Sequence, residues 1–481
     1  MRIIISAPDF RDGEADATRG LPDQPLFQSQ HPSDVSNINL DLFKDQYYRD
    51  LVARRLSGAV QIPTVIADGI GEVGKDPRWG IFHSFTQYLR KTFPILHDRL
   101  SLEVINQHAL LYTWQGSNPK LKPLLFMAHS DVVSAPESTL ERWTYPPFSG
   151  HYDGEYIWGR GSEDDKSNLI AILSAIDALI HCDFTPTRTV LVSIGFDEEG
   201  GLDQSNGARY LAERILETYG EDGIELIFDE GIAGIEEHFG TEFALPATAE
   251  KGYLDVQITI DTTGGHSSTP PDHTCIGYLA QAINAIEASP FTSRLTNKNP
   301  TTVYLKIAAL HSKNMPLSLR KAILDPSSSN EVLNYMDSSL ERRALVRTST
   351  AVDIMRGGEQ FLANALPETA YAVVNHRIAV EDSIQVLKDY YIRILSPLTK
   401  KWGFSLIAFG NDINNSCDSV GTVTLAGHYE LEPSPVSNHR DVRFTWLADT
   451  LQAVFGKDVC VAPVLLTGKF MFRPSEDPAA Y

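Results

Sequence analysis

Short apolar runs alternate with longer segments of helical periodicity between residues 109 and 228. The runs are five to eight residues long, and in the longer segments apolar residues recur every three or four positions. The pattern predicts strands at 109–114, 124–128, 189–196 and 223–228, and helices at 166–181 and 208–219. Two more helices are predicted upstream, one starting near Leu40 and one at 81–93. Such alternation predicts an α/β domain with a mostly parallel central sheet.

The pattern changes near Gly252, where residues 253–261 alternate strictly between apolar and polar positions. Later elements are predicted as helices at 276–286 and 383–394, strands at 351–355 and 369–376, and helical excursions within 313–345. These elements predict a small α+β domain of the ferredoxin-like type, inserted in the first domain. After about residue 395 the α/β character returns, with strands at 405–409 and 459–466 and a helix at 442–455.

The predicted organisation has an extension, a divided α/β domain and an insert. The extension, 1–47, is rich in Asp, Pro, Ser and Gln, and we expect it to be loosely ordered. The α/β domain is assigned to 48–252 and 395–481, and the inserted domain to 253–394.

Composition and charge narrow the classes of function. The chain has 481 residues, of which 42% are hydrophobic, so a large core is expected. Its net charge of −21 argues against nucleic-acid binding, because a phosphate partner requires a basic face. No run of about 18 apolar residues predicts a transmembrane helix, and the four apolar residues after Arg2 are too few for a signal peptide. The four cysteines are scattered, which favours free thiols over a thiolate zinc site and leaves one disulfide bond open.

One histidine and several carboxylates follow the predicted strands. His129 and Asp131 end the 124–128 run in an H-x-D arrangement. Imidazole and carboxylates are ligands that zinc accepts in hydrolytic sites. His129 is therefore a candidate ligand, and Asp131 is placed to accept the second ring N–H. Taken alone, His129 is better explained as a buried core histidine.

Further carboxylates occur at Asp164 and Asp165, at Glu198 and Glu199, and at Asp229. A carboxylate at 164–165 can bridge two cations, although Asp at a helix start also caps the helix. One of the two glutamates can bind metal while the other transfers protons; the alternative is an exposed acidic turn.

Three residues of the inserted domain are candidates for substrate contacts. His266, in a Gly-Gly-His-Ser-Ser sequence, can polarise a carbonyl or stabilise an oxyanion. Asn364 lies in an Asn-Ala-Leu-Pro turn, and Arg377 ends a strand and can hold a carboxylate bidentately. Each of the three taken alone is better explained by a structural role.

Seven segments in this order resemble the M20 metallopeptidase family, and within it the fungal carboxypeptidase S and Gly-X carboxypeptidases. The segments span roughly residues 45–468 and read HSDVV, WGRGSEDDK, FDEEGG, FDEG, GGHSSTPP, NALP and VNHRI. The resemblance implies two zinc ions per subunit and an inserted domain that acts as a lid or dimerisation domain. It further implies a peptide or N-acyl amino acid substrate, a possible homodimer through the inserted domain, and a vacuolar location.

The resemblance also implies roles by motif position. His129 would bind one zinc and Asp164 would bridge both. Glu199 would bind one zinc and Asp229 the other. Glu198 would be the general base and acid, and Asp131 would orient His129. The substrate would be contacted by His266, Asn364 and Arg377.

The implied reaction is release of a C-terminal amino acid from Gly-X peptides. The alternatives are hydrolysis of N-acyl amino acids and an inactive homologue that serves as a binding or regulatory protein. The family pattern has a Thr-Gly-x-Thr-Asp-[Ser/Thr]-Arg segment and a later histidine ligand. Here Gly468 is followed by Lys-Phe-Met-Phe-Arg, and no histidine follows His439. We therefore expect four ligands instead of five, a shortened second part of the α/β domain, and weak or absent activity.

Overall fold

The computed structural model describes residues 45–67, 69–200, 206–231, 235–358, 363–414 and 419–468, and the backbone of 2–4. Most of the predicted extension, together with Cys417 and residues 469–473, lies outside the described residues. The chain divides into two compact units. Unit 1 is Met1–Gly231 with Arg440–Asp449, and unit 2 is Ile232–His439 with Thr450–Tyr481.

Unit 1 is built from strands and helices that alternate after residue 100. Its strands are β1 (Arg2–Ile4), β2 (Ser101–Ile105), β3 (Ala109–Trp114), β4 (Leu124–His129), β5 (His151–Tyr152), β6 (Ile157–Trp158), β7 (Val190–Gly195) and β8 (Leu226–Asp229). Its helices are α1 (Gln46–Val60), α2 (Gly80–Thr92), α3 (Pro94–Arg99), α4 (Lys166–His181) and α5 (Ala208–Tyr219). Helix α1 starts later than predicted, because Asp45 is extended and its carboxylate accepts the Tyr48 N–H at 3.2 Å as an N-cap.

The sheet of unit 1 has the order β2-β3-β7-β4-β8-β1. The central strands β7, β4 and β8 are parallel, and the flanking pairs are antiparallel. Helix α4 packs its apolar face on this sheet, with Leu169, Ile170 and Leu173 fully buried. Lys166, the first residue of α4, is also buried, and its ammonium donates to the carbonyls of Ala59 and Ile62. Burial lowers the pKa of Lys166 to about 7.

Unit 2 contains the remaining elements. Its strands are β9 (Ile235–His238), β10 (Thr241–Ala244), β11 (Ala247–Glu250), β12 (Gly252–Thr262), β13 (Gly265–His266), β14 (Ala351–Gly357), β15 (Ala365–Leu366), β16 (Thr369–Ile378), β17 (Ser405–Ala408), β18 (Asn411–Asp412), β19 (Gly421–Leu431), β20 (Cys460–Val461) and β21 (Val464–Leu466). Its helices are α6 (Cys275–Glu287), α7 (Pro300–His311), α8 (Leu317–Leu324), α9 (Ser329–Asp337), α10 (Leu340–Ala344) and α11 (Ile384–Trp402), and α12 (Val442–Phe455) is divided between the units.

The main sheet of unit 2 has the order β14-β16-β12-β19-β17-β18. Alternating residues of β12, namely Leu254, Val256, Ile258 and Ile260, are fully buried against α6 and α11, as the period-2 pattern predicts. Strand β19, absent from the sequence prediction, pairs with β12, and β17 pairs with β19. The sheet therefore extends past residue 394, where the predicted inserted domain ends. A second core lies under α7, α8 and α9.

Two sequence expectations concern the whole chain. Cys182, Cys275 and Cys460 are free thiols. Among the described helices, none combines the length and the apolar character needed to cross a bilayer.

Candidate active site

The candidate site in unit 1 lies where three parallel strands end. Strand β4 ends at His129, β7 at Gly195 just before the Asp197–Glu199 turn, and β8 at Asp229. Because these strands are parallel, their carboxyl ends lie at the same edge of the sheet. The fold thus brings together three acidic segments that are up to 100 residues apart in the sequence.

His129 is buried at the centre of this cluster, with 4% of its surface exposed. Its Nδ1 lies 3.1 Å from the carbonyl oxygen of Asp131 and 3.2 Å from the Asp131 carboxylate. Its Nε2 faces Asp164 at 3.0 Å, Glu230 at 3.3 Å and Glu198 at 3.9 Å. With Nδ1 donating to Asp131, Nε2 is the ring atom that can serve as a ligand.

Asp131 is fully buried and contacts two parts of the site. Its Oδ1 lies beside the His129 ring, and its Oδ2 accepts the backbone N–H of Glu199 at 2.8 Å. These contacts fit the predicted orienting role of Asp131, which stays a prediction.

The loop before α4 supplies Asp164 and Asp165, which are joined by a cis peptide bond. Asp164 is exposed and approaches the His129 ring, whereas Asp165 is buried and its Oδ2 accepts the His129 backbone N–H at 3.0 Å. The hydrogen bond to His129 lowers the pKa of Asp164. Burial, together with the charge of Glu230, raises the pKa of Asp165 to about 8. The alternative role of Asp165 as an N-cap is not supported, because its side chain makes no hydrogen bond to the first turn of α4.

The acidic residues of the turn after β7 make two different kinds of contact. Asp197 is buried, and its carboxylate accepts the N–H groups of Asn206 at 2.5 Å and Gly207 at 2.8 Å, so that it anchors the start of α5. Glu198 and Glu199 face the site instead. Burial and neighbouring carboxylates raise the pKa of Glu198 to about 8 and that of Glu199 to about 7.

The strand end at β8 carries two adjacent acids, of which the motif position selects Asp229. Asp229, the predicted ligand, is half-buried, and its Oδ1 accepts the Glu230 N–H at 3.0 Å. Glu230, which the sequence analysis did not select, reaches the His129 ring. Among the described residues, ligand atoms of His129, Asp165 and Glu230 lie within 4.8 Å of one another and form the group that could hold a metal ion. In FDEG and EDD the acids are adjacent, and the sequence alone does not show which of them faces the His129 ring.

The donor set fits a divalent cation. It combines one imidazole nitrogen with carboxylate oxygens, the ligand types that zinc accepts in hydrolytic sites. Burial first, and then repulsion between neighbouring carboxylates, raises the pKa values of Asp165, Glu198 and Glu199. The same concentration of negative charge, at Asp131, Asp164 and Glu230, raises the pKa of His129, which burial alone would lower. A bound cation would relieve this repulsion.

Three predicted substrate-binding residues lie in unit 2. His266 is exposed in β13, which pairs with β15 so that His266 is opposite Ala365. Asn364 is exposed just before β15. Arg377, near the end of β16, is half-buried with its guanidinium 4.7 Å from the centre of the Tyr253 ring. The pairing of β13 with β15 therefore brings His266 and Asn364 together.

Fold and site define a metal-dependent hydrolase with acidic ligands at the carboxyl edge of a parallel sheet. The chain belongs to peptidase family M20/M25/M40, whose profile matches residues 125–473. It is 41% identical over 425 residues to carboxypeptidase S of Saccharomyces cerevisiae, which covers 87% of this chain and 73% of that protein. It is 31% identical over 421 residues to the N-fatty-acyl-amino acid synthase/hydrolase of Homo sapiens, covering 86% and 76%. The predictions of the family and of a metallocarboxypeptidase-type enzyme are confirmed.

Solved structures confirm the predicted fold. Human carnosine dipeptidase 1 superimposes with a TM-score of 0.57 at 16% identity, covering 89% of this chain and 88% of that one. An M20 family metallo-carboxypeptidase from Sulfolobus solfataricus gives 0.56 at 17% identity, covering 86% and 85%. At these identities the likeness concerns the fold alone.

Proposed function

We propose that this protein is a zinc carboxypeptidase that releases a C-terminal amino acid from peptides of the Gly-X type. The observation that carries the proposal is the His129 ring, buried at three strand ends with carboxylates of Asp164 and Glu230 within 3.3 Å of Nε2. The similarity to carboxypeptidase S of Saccharomyces cerevisiae supports the choice of substrate class.

The proposed ligands follow the motif positions: His129 would bind one zinc and Asp164 both, while Glu199 would bind one zinc and Asp229 the other. Asp165 and Glu230 are further candidate ligands, because their carboxylate oxygens and a ring nitrogen of His129 all lie within 4.8 Å of one another. Zinc in such a site would activate water and polarise the scissile carbonyl. Asp131 keeps the His129 ring in the tautomer whose Nε2 lone pair is available.

Glu198 is the proposed proton carrier. Its carboxylate lies 3.9 Å from His129 Nε2, and about half of the side chain (55%) remains accessible to solvent and hence to water. Burial and neighbouring carboxylates raise its pKa to about 8, so that both uptake and release of a proton by this carboxyl fall near neutral pH. Glu198 would take a proton from the attacking water and pass it to the nitrogen of the departing amino acid. His266, Asn364 and Arg377 are proposed to contact the scissile carbonyl, the peptide backbone and the terminal carboxylate.

Glu198→Gln tests this role. The amide keeps the shape of the side chain but cannot take up and release a proton near neutral pH, so we expect kcat on N-blocked Gly-Leu to fall by about 10²- to 10⁴-fold. Zinc content, measured by elemental analysis, should not change. The matched control is Glu163→Gln, an exposed acid in the loop before α4, which should keep wild-type kcat. A Glu198→Gln variant with wild-type turnover would contradict the proposal.

The second candidate is hydrolysis of N-acyl amino acids, favoured by the similarity to the human N-fatty-acyl-amino acid synthase/hydrolase. The wild-type protein should be assayed in parallel with N-blocked Gly-Leu and an N-fatty-acyl amino acid. A larger kcat/KM for the peptide supports the carboxypeptidase. A larger value for the acyl substrate would assign the same residues to an amidohydrolase.

Two further proposals rest on the resemblance: a homodimer through residues 253–394 and a vacuolar location. Molar mass in solution, measured by light scattering, tests the first. Fractionation of cells that express the protein tests the second.

A further inference from the structure

The loop that follows His266 is held by two hydrogen bonds to the segment before β15 and by one hydrogen bond within the loop. The Ser267 N–H donates to the carbonyl of Asn364 at 3.1 Å, and the Ser267 hydroxyl donates to the carbonyl of Ala363 at 2.7 Å. The Thr269 N–H returns to the carbonyl of His266 at 3.1 Å and closes a turn. The position of Ser268 relative to the His266 ring is therefore fixed by backbone contacts on both sides.

Ser268 contacts one particular atom of the ring. Its backbone N–H donates to His266 Nδ1 at 3.1 Å, and its hydroxyl oxygen lies 2.8 Å from the same atom. A backbone N–H can only donate, so Nδ1 must present its lone pair while this geometry holds. If Nδ1 carried a hydrogen, the Ser268 hydroxyl could accept it, but the Ser268 backbone N–H would then face a second donor and lose its acceptor.

The proton of the neutral ring is therefore located by elimination. With Nδ1 acting as acceptor, the single ring proton is on Nε2. Among the described residues Nε2 has no hydrogen-bond partner, and the side chain is exposed. Nε2–H is thus a donor directed away from the loop.

We infer that Ser268 is a positioning residue that holds the His266 proton on Nε2, where it can donate to the oxygen of a substrate carbonyl. The inference rests on the proposed function for its use in catalysis, because that function assigns His266 to the carbonyl. The tautomer itself follows from the loop geometry alone. A donor fixed in this way does not have to reorganise when charge develops on the oxygen.

The tautomer can be read by NMR without turnover. Protein labelled with ¹⁵N in the histidine rings gives correlations that distinguish a protonated from an unprotonated ring nitrogen. The His266 signals are identified by their loss in His266→Gln. We expect the proton on Nε2 at a pH where the ring is neutral. A wild-type ring with its proton on Nδ1 would overturn the inference, whatever the activity.

Variants at the two adjacent serines separate positioning from loop structure. Ser268→Ala removes the closer of the two donors and leaves the backbone N–H in place. We therefore expect the share of the ring with its proton on Nε2 to fall without being lost, and kcat to fall by up to about 10-fold with KM within twofold of wild type. Ser268→Thr keeps a hydroxyl, and its tautomer and kcat should both match the wild type. Ser267→Ala is the matched control, because its hydroxyl contacts Ala363 and not the ring, and the backbone hydrogen bonds of the loop remain. It should change neither the tautomer nor kcat.

The outcomes distinguish the inference from the proposed function. An unchanged tautomer in Ser268→Ala would overturn the positioning role of the hydroxyl. A changed tautomer together with full activity of His266→Gln would uphold the positioning role and overturn the use of this ring in catalysis.

Discussion

Gly468→Ala should displace the guanidinium of Arg377 while leaving the fold of unit 2 almost unchanged. Gly468 follows β21 with a φ of +77°, and a Cβ added there would lie 2.2 Å from Nη1 of Arg377. A normal carbon–nitrogen contact needs about 3.4 Å, so Nη1 must move by roughly 1.2 Å. The atom that must move is the end of a long flexible side chain, and this motion costs little stability.

The expected magnitudes for activity and stability differ. Arg377 is proposed to hold the terminal carboxylate, and a misplacement of about 1 Å can reduce catalysis by about 100-fold. We therefore expect kcat/KM on N-blocked Gly-Leu to fall by about 10- to 100-fold. The positive φ should destabilise the variant by about 1–2 kcal/mol, because a Cβ is unfavourable in the left-handed region.

Gly410→Ala supplies the matched control. Gly410 has a φ of +82° and no atom within 4 Å of its added Cβ, so it carries the backbone strain without the collision. Both variants should lose similar stability in urea, and only Gly468→Ala should lose activity. Equal kcat/KM for Gly468→Ala and Gly410→Ala would refute the positioning of Arg377 by this contact.

Two further predictions concern buried charges. Burial lowers the pKa of Lys251, which is 3% exposed, to about 7, so folding releases its proton between about pH 7 and 10.5. The free energy of unfolding should therefore rise with pH in this window by up to about 1.4 kcal/mol per pH unit. Urea titrations from about pH 7.5 to 9.5 should show this rise in the wild type and not in Lys251→Met. The same dependence on pH in both proteins would contradict the prediction. Arg55 pairs with Asp177 at 2.7 Å with side chains 10% and 6% exposed, so Arg55→Met should destabilise by about 3–5 kcal/mol. The double variant Arg55→Met/Asp177→Leu should recover most of this loss, measured as the free energy of unfolding in urea, because no unpaired buried charge remains. A double variant as unstable as Arg55→Met would contradict this explanation.

The sequence predicted the elements whose periodicity is long and uninterrupted. Helix α4 and strand β12 have nearly the predicted bounds, because their buried faces repeat without a break. Strand β19 was missed although Val423 and Leu425 alternate in it, since glycine and threonine around them weaken the apolar signal. Pairing of β19 with β12 depends on long-range register, which no local pattern specifies.

The candidate site was predictable in its segments and less so in its individual atoms. Spacing located the acidic turns, because residues after parallel strands gather at one edge. It did not show that Asp197 turns away to anchor α5 or that Glu230 approaches His129. In each case neighbouring acids compete for one position, and the loop conformation decides which side chain faces the site.

Asp131 connects the two halves of the cluster, and this connection explains why the acidic turn is placed so close to the histidine. The Asp131 carbonyl is hydrogen-bonded to the His129 ring, one carboxylate oxygen lies beside that ring, and the other accepts the Glu199 N–H. A single buried residue thus contacts both a proposed ligand and the turn that carries the proposed base. An H-x-D pattern predicts the first contact from the spacing alone. The second contact exists because β4 and β7 are adjacent and parallel, with His129 opposite Gly195. The position of the Glu198–Glu199 turn therefore depends on the same residue that is proposed to orient the ring, and we expect substitution of Asp131 to disturb both.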